Sequence, residues 1–236
     1  MTQRNYALLL FALLLTGSFI VSGCGEDSVE PTPAKPRLLF LHAAPITADK
    51  GVDILIGNEE VVQNKKFGEF ATYVDVPSGS QDVKVVETGT TSAAFTTNLI
   101  FNEEKNYSLI AYNETDGTVG ALLFRDDLSA PASGQALVRV VHLINDGPKV
   151  RVAFKGTGDP LYDSIAFKQV TEFFNPRPAG TYTLRIMDVK EQGGGSQSGG
   201  ANALIEQEVT LQAGKIYTFA AIGTAASPEL VVISNN

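Results

Sequence analysis

The 236-residue chain contains no tryptophan, two histidines and one cysteine. Each scarcity excludes something. A lone thiol cannot close a disulfide within the chain, so the small disulfide-stapled scaffolds are out. Two histidines, at positions 42 and 142, are too few and too far apart in sequence to supply a zinc site of three or four ligands. The missing tryptophan removes the side chain on which exposed sugar-binding platforms most often rely. Cations are also short: 18 Lys and Arg face 26 Asp and Glu, a formal charge of −8. The first 23 residues hold one cation, Arg4, and no acid, so the remainder stands at −9. Such a field repels phosphate backbones and anionic leaflets, which excludes nucleic acid as a partner and electrostatic docking as a route to a membrane.

What the chain does have is one apolar run near its start. Residues 6–21, "YALLLFALLLTGSFIV", carry no charge. They are shorter than the ~20 residues of a membrane-spanning helix and have the layout of a secretory leader. Ser22, Gly23 and the single Cys24 follow. "VSGC" resembles the bacterial lipobox, which implies a signal peptide over 1–23 and a thioether from Cys24 to diacylglycerol. Acylation of the exposed amino group, typically with palmitate, follows cleavage in that class. At ~0.8 kcal/mol per buried methylene, three acyl chains anchor a protein permanently. An ordinary leader with an incidental cysteine is the alternative. Residues 25–36, "GEDSVEPTPAKP", are polar and proline-bearing without hydrophobic periodicity, so 24–36 reads as the lipidated cysteine and a semi-extended tether. Glu26, Asp27 and Glu30 resemble the acidic export signal of Bacteroidetes surface lipoproteins. The expected location is therefore the cell envelope, anchored to the outer membrane and facing outward rather than into the periplasm.

After the tether the chain repeats itself. "RLLFLHAAP" (37–45) matches "LVRVVHLIN" (137–145), aligning His42 with His142. "GVDILI" matches "KVRVAF", Phe67 matches Phe167, "VPSGSQDVKVV" matches "RPAGTYTLRIM", and "KNYSLIAYN" matches "KIYTFAAIG", aligning Tyr107 with Tyr217. The offset grows from 100 to 110 residues mostly through "QGGGSQSGGAN" (192–202), a glycine- and serine-rich insertion expected as a loop between two strands. Short runs of Val, Thr, Ile, Phe and Tyr, punctuated by Gly, Pro, Asn and Asp, predict an all-β chain. The expectation is two tandem immunoglobulin-like β-sandwiches of about seven strands, 37–128 and 136–236, joined by a hinge at "SAPASGQ" (129–135). Tyr107 and Tyr217 have the spacing of a corner in which the hydroxyl bonds back to the backbone.

The strand ending in "LHAAP" or "VHLIND", then "VDI", a Phe-bearing strand, "VPSG" or "RPAG" and a closing tyrosine strand resemble the bacterial domain-of-unknown-function 4397 family. That resemblance covers everything after the tether and implies export and tandem copies. It implies no catalytic residues. Within it, the first copy has Glu104 where a glycine is usual, as at Gly214 of the second copy.

Candidate chemistry is thin. Cys24 is committed to lipid, G-x-S-x-G is absent, and each histidine sits at a matching strand end, where a buried imidazole bonded to its neighbouring turn is the expected role. Carboxylates and amides in "ADKGVD" (48–53), "NETDG" (113–117) and "INDG" (144–147) offer oxygens for calcium, but such residues also build turns. Adjacent Asp126 and Asp127 point to opposite faces of a strand and read as a solvated strand end, not as a glycosidase pair. "DSV" (27–29) and "DSI" (163–165) resemble a bacterial O-glycosylation signal. Phe173, Phe174, Tyr162 and Tyr182 could together form a small ligand platform on the second domain. No cofactor and no metal are expected. The functional expectation is a non-enzymatic, lipid-anchored envelope protein that displays two β-sandwiches for binding or adhesion to an extracellular glycan or an envelope protein. The alternative is a glycan-capture accessory of a polysaccharide uptake system.

Overall fold

The computed structural model describes residues 33–45, 50–173, 176–189 and 203–236. The leader, Cys24, most of the tether, Asp49, Phe174 and the glycine-rich insertion lie outside the described residues. Residues Pro33–Asn236 form one compact unit.

That unit is all-β. The first repeat contains β1 (Arg37–Ala43), β2 (Val52–Ile56), β3 (Glu59–Lys65), β4 (Phe70–Asp75), β5 (Gly79–Glu87), β6 (Ala93–Phe101), β7 (Asn106–Asn113) and β8 (Val119–Asp126). The second contains β9 (Gln135–His142), β10 (Val150–Phe154), β11 (Tyr162–Ile165), β12 (Arg177–Pro178), β13 (Gly180–Asp188), β14 (Ala203–Leu211), β15 (Ile216–Thr224) and β16 (Ser227–Ser234). The sheets have the orders β4-β1-β7-β8 and β3-β2-β5-β6 in the first repeat, and β12-β9-β15-β16 and β11-β10-β13-β14 in the second. The topology is therefore duplicated strand for strand, with eight strands per sandwich rather than about seven. In both copies the first strand pairs parallel with the seventh, Phe40 beside Leu109 and Val140 beside Phe219.

Alternation decides which face each strand buries. In β14, "ALIEQEVTL", Ile205, Val209 and Leu211 turn inward while the glutamates face water, so the outer sheets are wet on one side. Strands β1, β7, β9 and β15 are different: almost every residue in them is buried. Leu38 and Phe40 enter the core of the first sandwich with Val52, Ile54, Val83, Val85 and Phe101. Val138 and Val140 enter the core of the second with Val152, Phe154, Leu184 and Ile186. The intervening residues, Leu39, Leu41, Ile110 and Tyr112 on one side and Val141, Leu143, Ala220 and Ile222 on the other, form a third core between the repeats. Fully burying a Leu or Ile contributes about 1.5–3 kcal/mol, so this seam joins the sandwiches firmly. The segment expected as a hinge is consequently a fixed connection: its last residue, Gln135, opens β9, and the Gln135 amide donates to the Ala132 carbonyl.

The strands run in the same sense in both repeats. Near the start of β1, the Glu104 amide donates to Ala34 and the Val76 amide to Pro36. At that same end Asn235 of the second repeat donates to the Tyr73 hydroxyl of the first, at 3.2 Å. At the opposite end Lys168 of the second repeat meets Glu114 of the first, at 2.9 Å. One pole thus holds the residues that lead into β1, and the other gathers the described turns that follow β3, β5, β7, β9, β11 and β15.

Candidate functional site

The two histidines are the natural starting point for any chemistry, and both are used up by the fold. His42 and His142 are fully buried. His42 Nδ1 lies 2.8 Å from the Lys65 carbonyl, which only accepts, so that nitrogen carries the proton. His142 Nε2 donates to the Pro148 carbonyl at 2.9 Å, and its Nδ1 accepts the Ile144 amide at 3.4 Å. The backbone of each histidine pins the turn where the chain crosses between sheets: Gly68 and Lys168 donate to the two histidine carbonyls. Phe67 and Phe167 meet the imidazoles edge-on, each at 6.4 Å. Burial, only partly offset by the backbone bonds, pushes both imidazoles below their ordinary range. A neutral ring locked between carbonyl and core has no access to a substrate proton.

The tyrosines close the same argument. The Asn102 amide donates to the Tyr107 hydroxyl at 2.9 Å, and the Gln212 amide to the Tyr217 hydroxyl at 3.1 Å, so both corners form as the spacing implied.

Three of the four aromatic residues read as a ligand platform are described, and each has partners within its own sandwich. Phe174 lies outside the described residues. Phe173 stacks on the Arg139 guanidinium, 4.0 Å from the ring centroid. Tyr162 packs against the second core and donates to the Val138 or Glu172 carbonyl. Tyr182 stacks on Phe154 at 4.4 Å and donates to the Pro178 carbonyl. Each described ring is thus engaged with its own sandwich, Tyr162 and Tyr182 over apolar neighbours and Phe173 over a cation.

Acidic residues in the loops serve turns. Asp53 accepts the Asn64 amide and the Thr88 hydroxyl, Asp116 accepts both donors of Thr118, and Asp146 accepts the Ala225 amide. Among the described residues no group of three or more His, Cys, Asp or Glu is placed to hold a metal ion. Ser164 of "DSI" is exposed on β11, beside Asp163, which pairs with Arg151.

Asp126 is a correction. It is not solvated: it is 4% exposed, and its carboxylate meets Arg139 Nη1 at 2.6 Å across the repeat boundary. Ser108 donates to Asp126 at 2.8 Å, and Tyr73 donates to the same oxygen. Arg139, 2% exposed, also donates to Thr218 at 2.8 Å and to Ser108 at 3.1 Å, between the rings of Phe124 and Phe173. Asn235 closes the circuit by accepting from Thr218 and donating to Tyr73. Burial raises the Tyr73 hydroxyl, with the Asp126 charge adding to it. The signal in the sequence was the single cation in "LVRVVH", alone in a strand otherwise apolar on both faces.

The pole of turns carries charge at its centre. Glu114 accepts the Tyr112 hydroxyl at 2.6 Å and the Lys168 ammonium at 2.9 Å, and these contacts hold its carboxyl below the usual range, the tyrosine bond first. Asn145 donates to the Glu114 carbonyl, and Lys50 pairs with Glu87 nearby on the first repeat.

A family model described as "Domain of unknown function (DUF4397)" matches residues 26–153 and 156–236. The chain belongs to this family. The first matched segment ends within β10, one residue short of its end, whereas the DUF4397 duplication seen in the fold begins at β9, so that segment takes in β9 and most of β10 of the second sandwich. No curated protein matches the DUF4397 chain.

Proposed function

We propose that this DUF4397 protein is a lipid-anchored envelope protein without catalytic activity, whose fused sandwiches carry a binding surface away from the membrane. One observation supports this reading above the others: the chain reaches the β-body at one pole, and the described turns after β3, β5, β7, β9, β11 and β15 cluster at the opposite pole. Attachment through Cys24 at the far side of the tether leaves that cluster free. Loops held on a rigid scaffold are where recognition concentrates. Both histidines being buried and neutral removes the ordinary base of a hydrolytic mechanism. Phe173, Tyr162 and Tyr182 are each engaged with the second sandwich, which favours an envelope or matrix component recognised by polar loops over a glycan stacked on rings.

The anchor and the binding surface are tested separately. Labelled palmitate should enter the native protein and fail to enter a Cys24→Ala variant, which should leave the membrane fraction; equal labelling of both would end the anchoring proposal. The compact 33–236 body, immobilised, should retain an envelope partner. Retention should fall with Glu114→Ala, Asp116→Ala and Lys168→Ala combined, and should survive Lys105→Ala with Lys215→Ala at the tether pole. Equal loss from both poles would reject the placement. Turnover of any envelope polymer by the body would reject the non-enzymatic reading.

A further inference from the structure

The seam between the repeats brings together equivalent faces of equivalent sheets. Pairing registers align Leu39 with Arg139, Ser108 with Thr218, and Asp126 with Asn235. Contacts across the seam are reciprocal: Tyr112 of the first repeat meets Phe167 of the second at 6.0 Å, and its counterpart Ile222 lies against Gly68, beside Phe67. An interface made from the same patch on both sides is isologous, and such a patch can in principle pair with another copy of itself. The apolar residues of the seam carry no charge to forbid this, and any preference among them, Leu41 against Val141 or Ile110 against Ala220, is one of volume and not of sign.

The charges break the equivalence. Repeat one contributes the acid, Asp126, and places Leu39 where its twin has a cation. Repeat two contributes the cation, Arg139, and places Asn235 where its twin has an acid. Two first repeats face to face would bury two carboxylates with no cation. Two second repeats would bury two guanidinium groups with no anion. An unpaired buried charge is strongly unfavourable, whereas the mixed pairing satisfies both with hydrogen bonds to spare. We propose that the inner face of each repeat is a self-association surface, and that the Asp126–Arg139 pair makes it choose the other repeat of its own chain over the same repeat in a second copy. The pair is then a specificity determinant, and its partner of exclusion is this chain itself.

Refolding the 33–236 body from denaturant over a range of protein concentrations tests this, with mass read by light scattering. The unaltered body should refold as a monomer throughout. Asp126→Asn combined with Arg139→Leu gives both repeats the neutral pattern Leu and Asn. Leu39→Arg combined with Asn235→Asp gives both repeats the charged pattern. Either change makes same-repeat pairing between chains as acceptable in charge as the pairing within one. Each should yield a dimer or open-chain fraction that grows with concentration, at least several-fold above the unaltered body. Monomeric refolding of both variants at every concentration would overturn the proposal. So would failure of both to fold, since the pair would then serve docking itself and not the choice between dockings.

Discussion

Asp126 and Arg139 come from different sandwiches and meet at 2.6 Å where neither is reached by water. Removing one partner strands the other in a medium that cannot solvate it. Arg139→Leu or Asp126→Asn alone should each cost about 3–5 kcal/mol, and the double change clearly less than their sum. Denaturant unfolding of the four proteins of the cycle measures the difference. Strict additivity would show that the two charges do not depend on one another.

The turn before each closing tyrosine strand has the same backbone with different residues. Gly214 holds φ 79° and Glu104 holds φ 60°, a left-handed conformation that costs an L-residue roughly 1–2 kcal/mol. Glu104 is exposed, and only its backbone is bonded here, to Ala34. Glu104→Gly should therefore stabilise by up to about 1 kcal/mol once the added freedom of the unfolded chain is subtracted. At the turn after β11, Lys168 holds φ 67° where the first repeat has Gly68, but its ammonium pairs with Glu114. Lys168→Gly should gain less than Glu104→Gly, or lose. Melting temperatures of both variants decide the order.

Tyr107→Phe and Tyr217→Phe each delete one acceptor and leave a backbone amide, Asn102 or Gln212, without its partner. Each should cost about 1–3 kcal/mol. The two corners serve different cores, so the effects should add. Chemical denaturation is again sufficient. A neutral outcome at either tyrosine would mean that water replaces the hydroxyl.

Both imidazoles are held below their ordinary value, chiefly by burial. The folded state then binds fewer protons than the unfolded chain. The histidine contribution to stability is intact above about pH 6.5, the unfolded value, and declines as pH falls through it. Glu69, which faces His42, opposes this in the first repeat only. Following the two ring signals by NMR from pH 7.5 downward should give midpoints below 6.5 for both. A midpoint at or above that value would contradict the buried, neutral assignment.

How far the residues could be read follows from what each signal depends on. The duplication was legible because matched strands carry matched landmarks: His42 with His142, Phe67 with Phe167, Tyr107 with Tyr217. Those landmarks act within one sandwich, through bonds to neighbouring turns, so sequence spacing is enough to interpret them. The third core was not legible in the same way. "RLLFLHAA" and "YTFAAIG" are continuous apolar runs, the mark of strands buried on both faces. What covers the second face is a matter of tertiary packing, and the sequence reading assigned a hinge instead. Asp126 was misjudged for that reason: a strand-end acid is ordinarily wet, and only the docking of β9 brings Arg139 over it. Tyr162 and Tyr182 show the same limit, since position along the chain does not decide which neighbours a ring at a sheet margin covers.

Parallel pairing of β1 with β7 has a mechanical side. The chain arrives at the start of β1, and the turns proposed to engage a partner lie at the far end of the same strands. A pull on the tether against a held partner therefore runs along the strand axis. The hydrogen bonds that join β1 to β7 on one flank and to β4 on the other are stretched sideways and together, not opened one after another from an end like a zipper. The geometry is that of a lap joint, suited to bearing tension along the strands.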